Sequence, residues 1–259
     1  MIAECQGLVS IVIPAYNCEA TISDSIFSVL NQNYPLIEII ICDDSSTDNT
    51  ANILNEFSVK YDNIKIVNNI YIKGASGARN SCITHCNGRY ISFLDSDDIW
   101  SKEKLSTQIS FMARELVNFS YGSYWTFKDS IDNTLGQFEP KDSISFYDLI
   151  KSCDIGCSTV VIDRDYYKDF RFLYTDKEDF ATWVYLLSDR TQIAKKFPSC
   201  FVYYRIGENS LSSNKLLELY RQNRVLKNVA KLSFIARLIC LTIYSLKGLK
   251  KHIYNYKVK

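Results

Sequence analysis

The chain has 259 residues, 47% of them hydrophobic, with 9 Gly, 4 Pro and a formal net charge of +1. That length and composition exclude a disordered or fibrous chain and leave room for one packed core plus a small appendage. Only two histidines occur, His85 and His252, and the nine cysteines are scattered without a CxxC pair, which argues against a zinc centre or a histidine-centred triad. Free thiols and the lack of a basic-then-apolar leader lead to the expectation of a reducing cytoplasm.

In chain order, Leu8–Ile13 reads as a buried strand stopped by Pro14. Ile22, Ile26, Val29 and Leu30 fall on one face of a helix. Ile37–Cys42 is a second apolar run, ending at Asp43-Asp44, and Ser46 or Thr47 would cap a helix with Ile53, Leu54 and Phe57 on its core face. Ile64–Val67 reads as a third strand, Gly74–Cys86 as a helix and Tyr90–Leu94 as a fourth strand. Leu105, Ile109 and Met112 mark a further helix. Phe119–Phe127 and Ser158–Ile162 read as strands, Phe180–Leu187 as a helix and Cys200–Arg205 as a late strand. Apolar runs without alternation suit strands covered on both faces. Strand–helix alternation of this kind predicts an α/β doubly wound sheet with right-handed crossovers.

Residues 215–259 hold eleven Lys or Arg and one acid, Glu218, whereas residues 1–214 hold 19 bases and 28 acids. The expected division is therefore a catalytic domain over 1–214 and a basic, amphipathic helical tail over 215–259. From Asn223 to Gly248 one continuous helix would carry Lys227, Lys231 and Arg237 on a polar stripe. A basic tail seeks an anionic partner, and its apolar content favours a membrane surface over nucleic acid, with Lys247, Lys250, Lys251, Lys257 and Lys259 on the headgroups. Packing on the body or on a second copy, as a homodimer, is the alternative.

Asp95-Ser96-Asp97-Asp98 closes the fourth strand. On an extended backbone Asp95 and Asp97 share one face, and two such carboxylates repel unless a cation sits between them. A divalent cation carrying a diphosphate satisfies that need, and a solvated acidic turn is the alternative. In open parallel sheets ligands bind beyond the carboxyl ends of the strands. That rule gathers Pro14–Asn17, Asp43–Asp48 and Asp95–Asp98 into one crevice. Neither GxGxxG nor GxxxxGK[ST] is present, which removes a dinucleotide fingerprint and a P-loop.

Those segments resemble a known set. Ser10-Ile11-Val12-Ile13-Pro14-Ala15-Tyr16-Asn17, Asp43-Asp44-Ser45-Ser46-Thr47-Asp48, Gly77-Ala78-Arg79-Asn80, Phe93–Asp98 and Glu178-Asp179 followed by Trp183 are similar, in order and spacing, to the motifs of family 2 glycosyltransferases. The resemblance covers most of residues 8–206. It implies a GT-A fold with a mixed sheet, and an inverting transfer of a hexose, glucose or galactose, from a UDP-sugar to a polyprenyl-diphosphate-linked saccharide. The setting it implies is surface-polysaccharide assembly on the cytoplasmic face of the membrane.

The same resemblance implies roles for particular residues. Pro14, Ala15 and Tyr16 would line the nucleotide pocket, with Asp43 on the uracil N–H, Asp44 and Ser96 beside it, and Arg79 against the base or phosphates. Pairing of Arg79 with a nearby acid is the alternative. Asp95 would meet the ribose or the metal, and Asp97 would be the main ligand of Mn²⁺ or Mg²⁺. Asp179 would be the general base, with Glu178 and Asp176 as rivals. Ser158 and Thr159 would touch the acceptor and Arg205 the phosphates, although Ile206–Ser210 lacks the His that often follows. Trp100 and Trp125 are either core aromatics or sugar platforms. A sugar-phosphate nucleotidyltransferase would need a Gly-rich basic loop where Pro14–Asn17 stands. A processive synthase would need QxxRW, which is absent. A non-catalytic scaffold would not need an intact Asp97 and Asp179.

Overall fold

The computed structural model describes residues 7–207 and 215–254, without the side chains of 215 and 249–254. Glu208–Ser210, Lys257 and Lys259 lie outside the described residues, as do the side chains of Lys250 and Lys251. The elements run β1 (Val9–Ala15), α1 (Ile22–Leu30), β2 (Ile37–Asp43), α2 (Thr50–Lys60), β3 (Ile64–Asn68), α3 (Ala75–Ile83), β4 (Tyr90–Phe93), β5 (Ile99–Trp100) and α4 (Lys104–Glu115). There follow β6 (Phe119–Phe127), β7 (Thr134–Phe138), β8 (Ser143–Ser145), α5 (Phe146–Leu149), a 3-10 turn (Cys157–Thr159), β9 (Val161–Asp163), α6 (Glu178–Leu186), β10 (Ile193–Arg205), α7 (Lys215–Asn228) and α8 (Phe234–Tyr254).

One mixed sheet has the order β3-β2-β1-β4-β9-β6-β10-β5, with β7 on β6 and β8 on β10. The first four strands are parallel, and β9 pairs antiparallel with both β4 and β6. Alternate residues of one strand enter different cores. Ile11, Ile13, Ile39 and Ile41 pack with α1, α2 and α4. Val12, Ile40 and Cys42 pack with α3, α6 and the C-terminal helices. Both faces are therefore apolar, which is why the strands read as unbroken hydrophobic runs.

Pro14 does not stop β1. It pairs in register with Cys42. Even-numbered residues of β1 bond toward β4, and the last of those bonds is Leu94 N–H to Val12 O (3.0 Å). Pro14 lies just past it, where no partner strand asks for its missing N–H. Ser46 and Thr47 do not cap α2, which starts at Thr50 with Asp48 Oδ1 accepting the Thr50 N–H (3.0 Å). Ser158 and Thr159 belong to the 3-10 turn rather than to a strand.

The tail is two helices. α7 ends at Asn228, Lys231 takes a left-handed φ of 52°, and Ser233 opens α8 by accepting the Arg237 N–H on its carbonyl (3.0 Å). Nor is it a separate unit: Val225, Leu226, Ala230 and Cys240 are buried in the same core as Trp183 and Phe93. No helix among the described residues is long and apolar enough to cross a membrane.

Candidate active site

The ends of β1 and β2 turn away through left-handed residues, Asn17 (φ 46°) and Ser45 (φ 65°). Asn and Ser tolerate that region because their short polar side chains bond locally. Asn17 Oδ1 accepts the Thr47 N–H (2.8 Å) and the Asn17 N–H reaches Ser46 Oγ (3.0 Å), so the two loops are stitched together. Asp43 Oδ1 accepts from Ser46 Oγ (2.5 Å) and Ser46 N (3.2 Å), which fixes its carboxylate at the mouth of the crevice. Tyr16 is 49% exposed, Pro14 is half-buried, and Ala15 is buried beneath them. Lys73 lies over the Tyr16 ring, 4.5 Å from its centroid.

Asp44 departs from its expected place in the pocket. It is buried, taking the Asn69 amide on Oδ1 (2.6 Å) and the Gly74 N–H on Oδ2 (2.7 Å). Gly74 has φ 123°, a conformation open to glycine. Three residues on, a Cβ on Gly77 would meet Ile72 O at 1.9 Å, so a side chain there would push α3 off this loop. Asp44 therefore seats α3, and α3 carries Arg79.

Asp95–Asp98 is a tight turn, not extended backbone: the Asp98 N–H bonds Asp95 O (3.1 Å). Asp98 is fully buried and accepts Ser158 Oγ (2.5 Å) and the Arg205 N–H (3.0 Å). Ser158 Oγ in turn accepts the Asp95 N–H (3.1 Å), and Arg205 Nε donates to Asp97 O (2.9 Å). Ser158 and Arg205 thus hold the turn from behind. Thr159 is buried and donates to Gly156 O (2.7 Å). The pair expected to touch the acceptor is internal, and the expected phosphate ligand Arg205 is a buttress stacked on Phe127 (4.5 Å). Trp100 is buried, with its indole N–H on Ser158 O (2.8 Å), and serves the core. Ser96 is half-buried, and its carbonyl accepts Thr21 Oγ1 (2.9 Å).

Asp97 is exposed at the rim of the crevice, and its carboxyl is pushed up to about 6 by partial desolvation and by the charge of Asp95, against the pull of Arg205. Among the described residues no other residue donates to its carboxylate, and one oxygen of Asp95 is likewise unengaged. An excess of carboxylate charge on hard oxygen donors suits Mg²⁺ or Mn²⁺. Among the described residues no three His, Cys, Asp or Glu are grouped to cage an ion alone. The donors fit an ion that arrives with diphosphate oxygens and keeps them as ligands.

Arg79 is buried and bridges two segments. Nη2 donates to Asp95 Oδ1 (2.6 Å) and Nη1 to Glu178 Oε1 (2.8 Å), while the guanidinium lies over Phe172 (5.1 Å). Burial opposes its charge, but the Asp95 and Glu178 carboxylates outweigh that and raise its pKa further. Arg79 makes the pairing with nearby acids that the sequence offered as the alternative. Asn80, next in sequence, takes the Phe172 N–H on Oδ1 (2.7 Å) and donates Nδ2 to Phe172 O (3.0 Å). Two adjacent side chains thereby join the acidic turn to the segment that leads into α6.

Glu178 and Asp179 form the first turn of α6. Asp179 is half-buried, with the Phe180 N–H on Oδ1 (2.6 Å). Burial, then the charge of Glu178, raises it to about 6, against the Phe180 hydrogen bond and Arg79. Glu178 is paired with Arg79, whereas Asp179 makes no ion pair among the described residues. Tyr204, 43% exposed, completes the surround: partial desolvation of its hydroxyl and the charges of Asp98, Asp95, Asp97 and Asp179 raise its pKa. Sequence reasoning passed over Lys73 and Lys177, whose only local signal is charge in a loop.

A crevice at the carboxyl ends of parallel strands, an acidic turn with unengaged carboxylate oxygens and a second, proton-ready carboxylate define a transferase for nucleotide-diphosphate sugars. The family model for glycosyl transferase family 2 matches residues 10–171. The chain belongs to that family and is a glycosyltransferase. It is 46% identical, over 97% of its length and 98% of the relative's, to UDP-Glc:alpha-D-GlcNAc-diphosphoundecaprenol beta-1,3-glucosyltransferase WfaP of Escherichia coli. WfgD of E. coli, a UDP-Glc:alpha-D-GlcNAc-diphosphoundecaprenol beta-1,3-glucosyltransferase as well, is 43% identical over 96% of this chain and 97% of its own. The crystal structure of S. aureus TarS 1–349 in complex with UDP-GlcNAc superposes with a TM-score of 0.67 at 18% identity, covering 97% of this chain and 76% of that one.

Proposed function

We propose that the chain transfers glucose from UDP-glucose to the GlcNAc of GlcNAc-diphosphoundecaprenol, forming a β-1,3 linkage. The observation that carries the mechanism is the Arg79 bridge, which sets the donor-side Asp95 and the acceptor-side Glu178-Asp179 on one guanidinium. The activity of two relatives above 40% identity supports the sugar and the acceptor.

In this reading the acceptor hydroxyl attacks the anomeric carbon from the face opposite UDP. The new C–O bond forms as the bond to the diphosphate breaks, so the centre inverts from α to β. Asp179 takes the hydroxyl proton, which such bases make worth about 10²–10⁴-fold. Asp43 and Tyr16 hold the uridine end. Asp97, with Asp95, would hold a divalent ion, whose role when bound is to offset the charge growing on the departing diphosphate.

The lipid acceptor places the reaction at a membrane surface, and α8 supplies a face for it. Ile235, Leu238, Ile239 and Leu246 share one stripe of α8 and are 71%, 50%, 53% and 58% exposed. The helix contains no acidic residue and carries Arg237, Lys247, Lys250 and Lys251. Apolar side chains backed by bases fit an anionic bilayer, with α8 lying in the interface of the cytoplasmic leaflet.

The test is transfer from radiolabelled UDP-glucose, UDP-galactose and UDP-GlcNAc to a synthetic GlcNAc-diphospho-lipid. Glucose alone should transfer, EDTA should stop it, and Mn²⁺ or Mg²⁺ should restore it. Preference for another sugar would overturn the donor assignment, and turnover unchanged by EDTA would overturn the metal role.

A further inference from the structure

Lys177 immediately precedes Glu178-Asp179, yet it points away from the crevice into the C-terminal hairpin. Its side chain is 9% exposed and lies 3.3 Å from the Glu218 carboxylate of α7. Its ammonium also donates to Gln222 Oε1 of α7 (3.0 Å) and Tyr244 Oη of α8 (3.3 Å). It packs over the rings of Tyr244 (5.1 Å) and Phe180 (5.3 Å). One residue earlier, Asp176 accepts from Arg224 of α7 (2.7 Å). The two residues ahead of Glu178-Asp179 are therefore tied to the α7–α8 hairpin, and the hairpin is itself anchored in the core through Val225, Leu226 and Cys240.

Simple packing does not call for this arrangement. An apolar side chain could fill the same space, whereas burying an ammonium costs several kcal/mol before its partners offset it. What the charge adds is direction. Three polar partners from two helices fix where the ammonium sits, and so fix the backbone at Lys177. That residue is the N-cap of α6, with non-helical φ −132° and ψ 64°, and it donates no side-chain cap. Together with the Arg79–Glu178 pair, its backbone sets how the first turn of α6 presents Asp179 to the crevice.

We propose that Lys177 is a positioning residue for the acceptor base, and that through it the C-terminal hairpin completes the active site. The proposal rests on the reading of Asp179 as that base. It gives the hairpin a role in the chemistry apart from any membrane contact. It also ties the base to α8, the element that carries the exposed apolar stripe.

The test uses the full chain with a soluble short-chain acceptor, so that membrane contact does not enter. Lys177→Met should lower kcat about 10- to 100-fold, as a small misplacement of a reacting group does. The KM for UDP-glucose and the binding of UDP should stay within about twofold, because the donor side is held by other elements. Lys177→Arg, which keeps the charge opposite Glu218, should recover most of kcat. Should Lys177→Met fail to fold, Tyr244→Phe removes one hydrogen bond and should lower kcat a few-fold with unchanged donor binding. Wild-type kcat in the variant that folds would overturn the proposal, as would losses in kcat and UDP binding that run in parallel. Asp179→Asn is assayed alongside. If it is inactive while Lys177→Met is fully active, the positioning role fails and the base stands. If it keeps near-full rate, the base reading fails and takes the positioning role with it.

Discussion

Ser158 donates its hydroxyl to Asp98 at 2.5 Å across sixty residues of sequence, and the same oxygen receives the Asp95 N–H. One hydroxyl thus fastens both ends of the acidic turn to the 3-10 turn ahead of β9. Ser158→Ala would leave Asp98 with only the Arg205 N–H inside the core. Losing a buried partner costs about 1–3 kcal/mol. The melting temperature should fall by several degrees, and donor binding, measured by calorimetry with UDP and Mn²⁺, should weaken with it. Retention of both would mean the turn does not depend on this bolt.

Arg79 has two acidic partners on one planar fork, a geometry that lysine cannot copy. Arg79→Lys should keep one of the two contacts and lose at least 10-fold in kcat/KM. Arg79→Met should leave Asp95 and Glu178 facing each other without a cation. Breaking a buried pair in this way costs about 3–5 kcal/mol, so loss of the folded protein on denaturant titration is the expected result.

Asp179 must be ionised to accept a proton, and burial beside Glu178 holds it at about 6 in the free enzyme. The rate constant kcat/KM should therefore rise with pH through about 6 and level off above it. Asp97 titrates in the same range, so the base is identified by kcat: Asp179→Asn should lower it by about 10²–10⁴-fold even on the plateau above pH 7. A profile flat from pH 5 to 8 in the native enzyme would assign the base elsewhere.

Lys104 is buried with no acidic partner among the described residues, donating to Ser92 Oγ (2.7 Å) above the Trp100 ring (3.7 Å). Burial drives its pKa well below that of a free lysine. Between its folded value and 10.5, the unfolded chain binds the extra proton, so stability rises with pH over that window. Lys104→Met should be as stable as the native chain or more so near neutrality, by about 1 kcal/mol or more. The difference should shrink as the pH approaches 10, and urea melts at pH 7 and 9.5 measure both.

Ile235→Glu with Ile239→Glu places two charges on the exposed stripe of α8, where neither side chain touches the core. Sedimentation with vesicles containing anionic lipid should drop several-fold, while kcat/KM with a soluble acceptor stays unchanged. Equal sedimentation would move the membrane contact to another surface.

The strands and the crevice were legible in the sequence because a parallel sheet needs apolar residues on both faces and ligands gather where such strands end. The polar segments were harder. Asp44 and Asp43 are neighbours of one kind, yet one faces the crevice and the other seats α3, a distinction made by Asn69 and Gly74 far along the chain. Ser158 and Arg205 carried the expected chemistry for ligand contact but are consumed by the turn they hold. The split of the tail at Lys231 had no proline or glycine to announce it. Which acids would pair with Arg79 depended on segments 16 and 99 residues away, which local pattern does not register.

Arg79 and Asn80 are consecutive residues of one short helix, and each grips a different side of the crevice. Donor and acceptor machinery are therefore mounted on a single rigid bracket and keep a constant spacing. Discrimination has to come from the shape and polarity of what lines the gap, so changes of specificity should map to the loops around it and leave the bracket untouched.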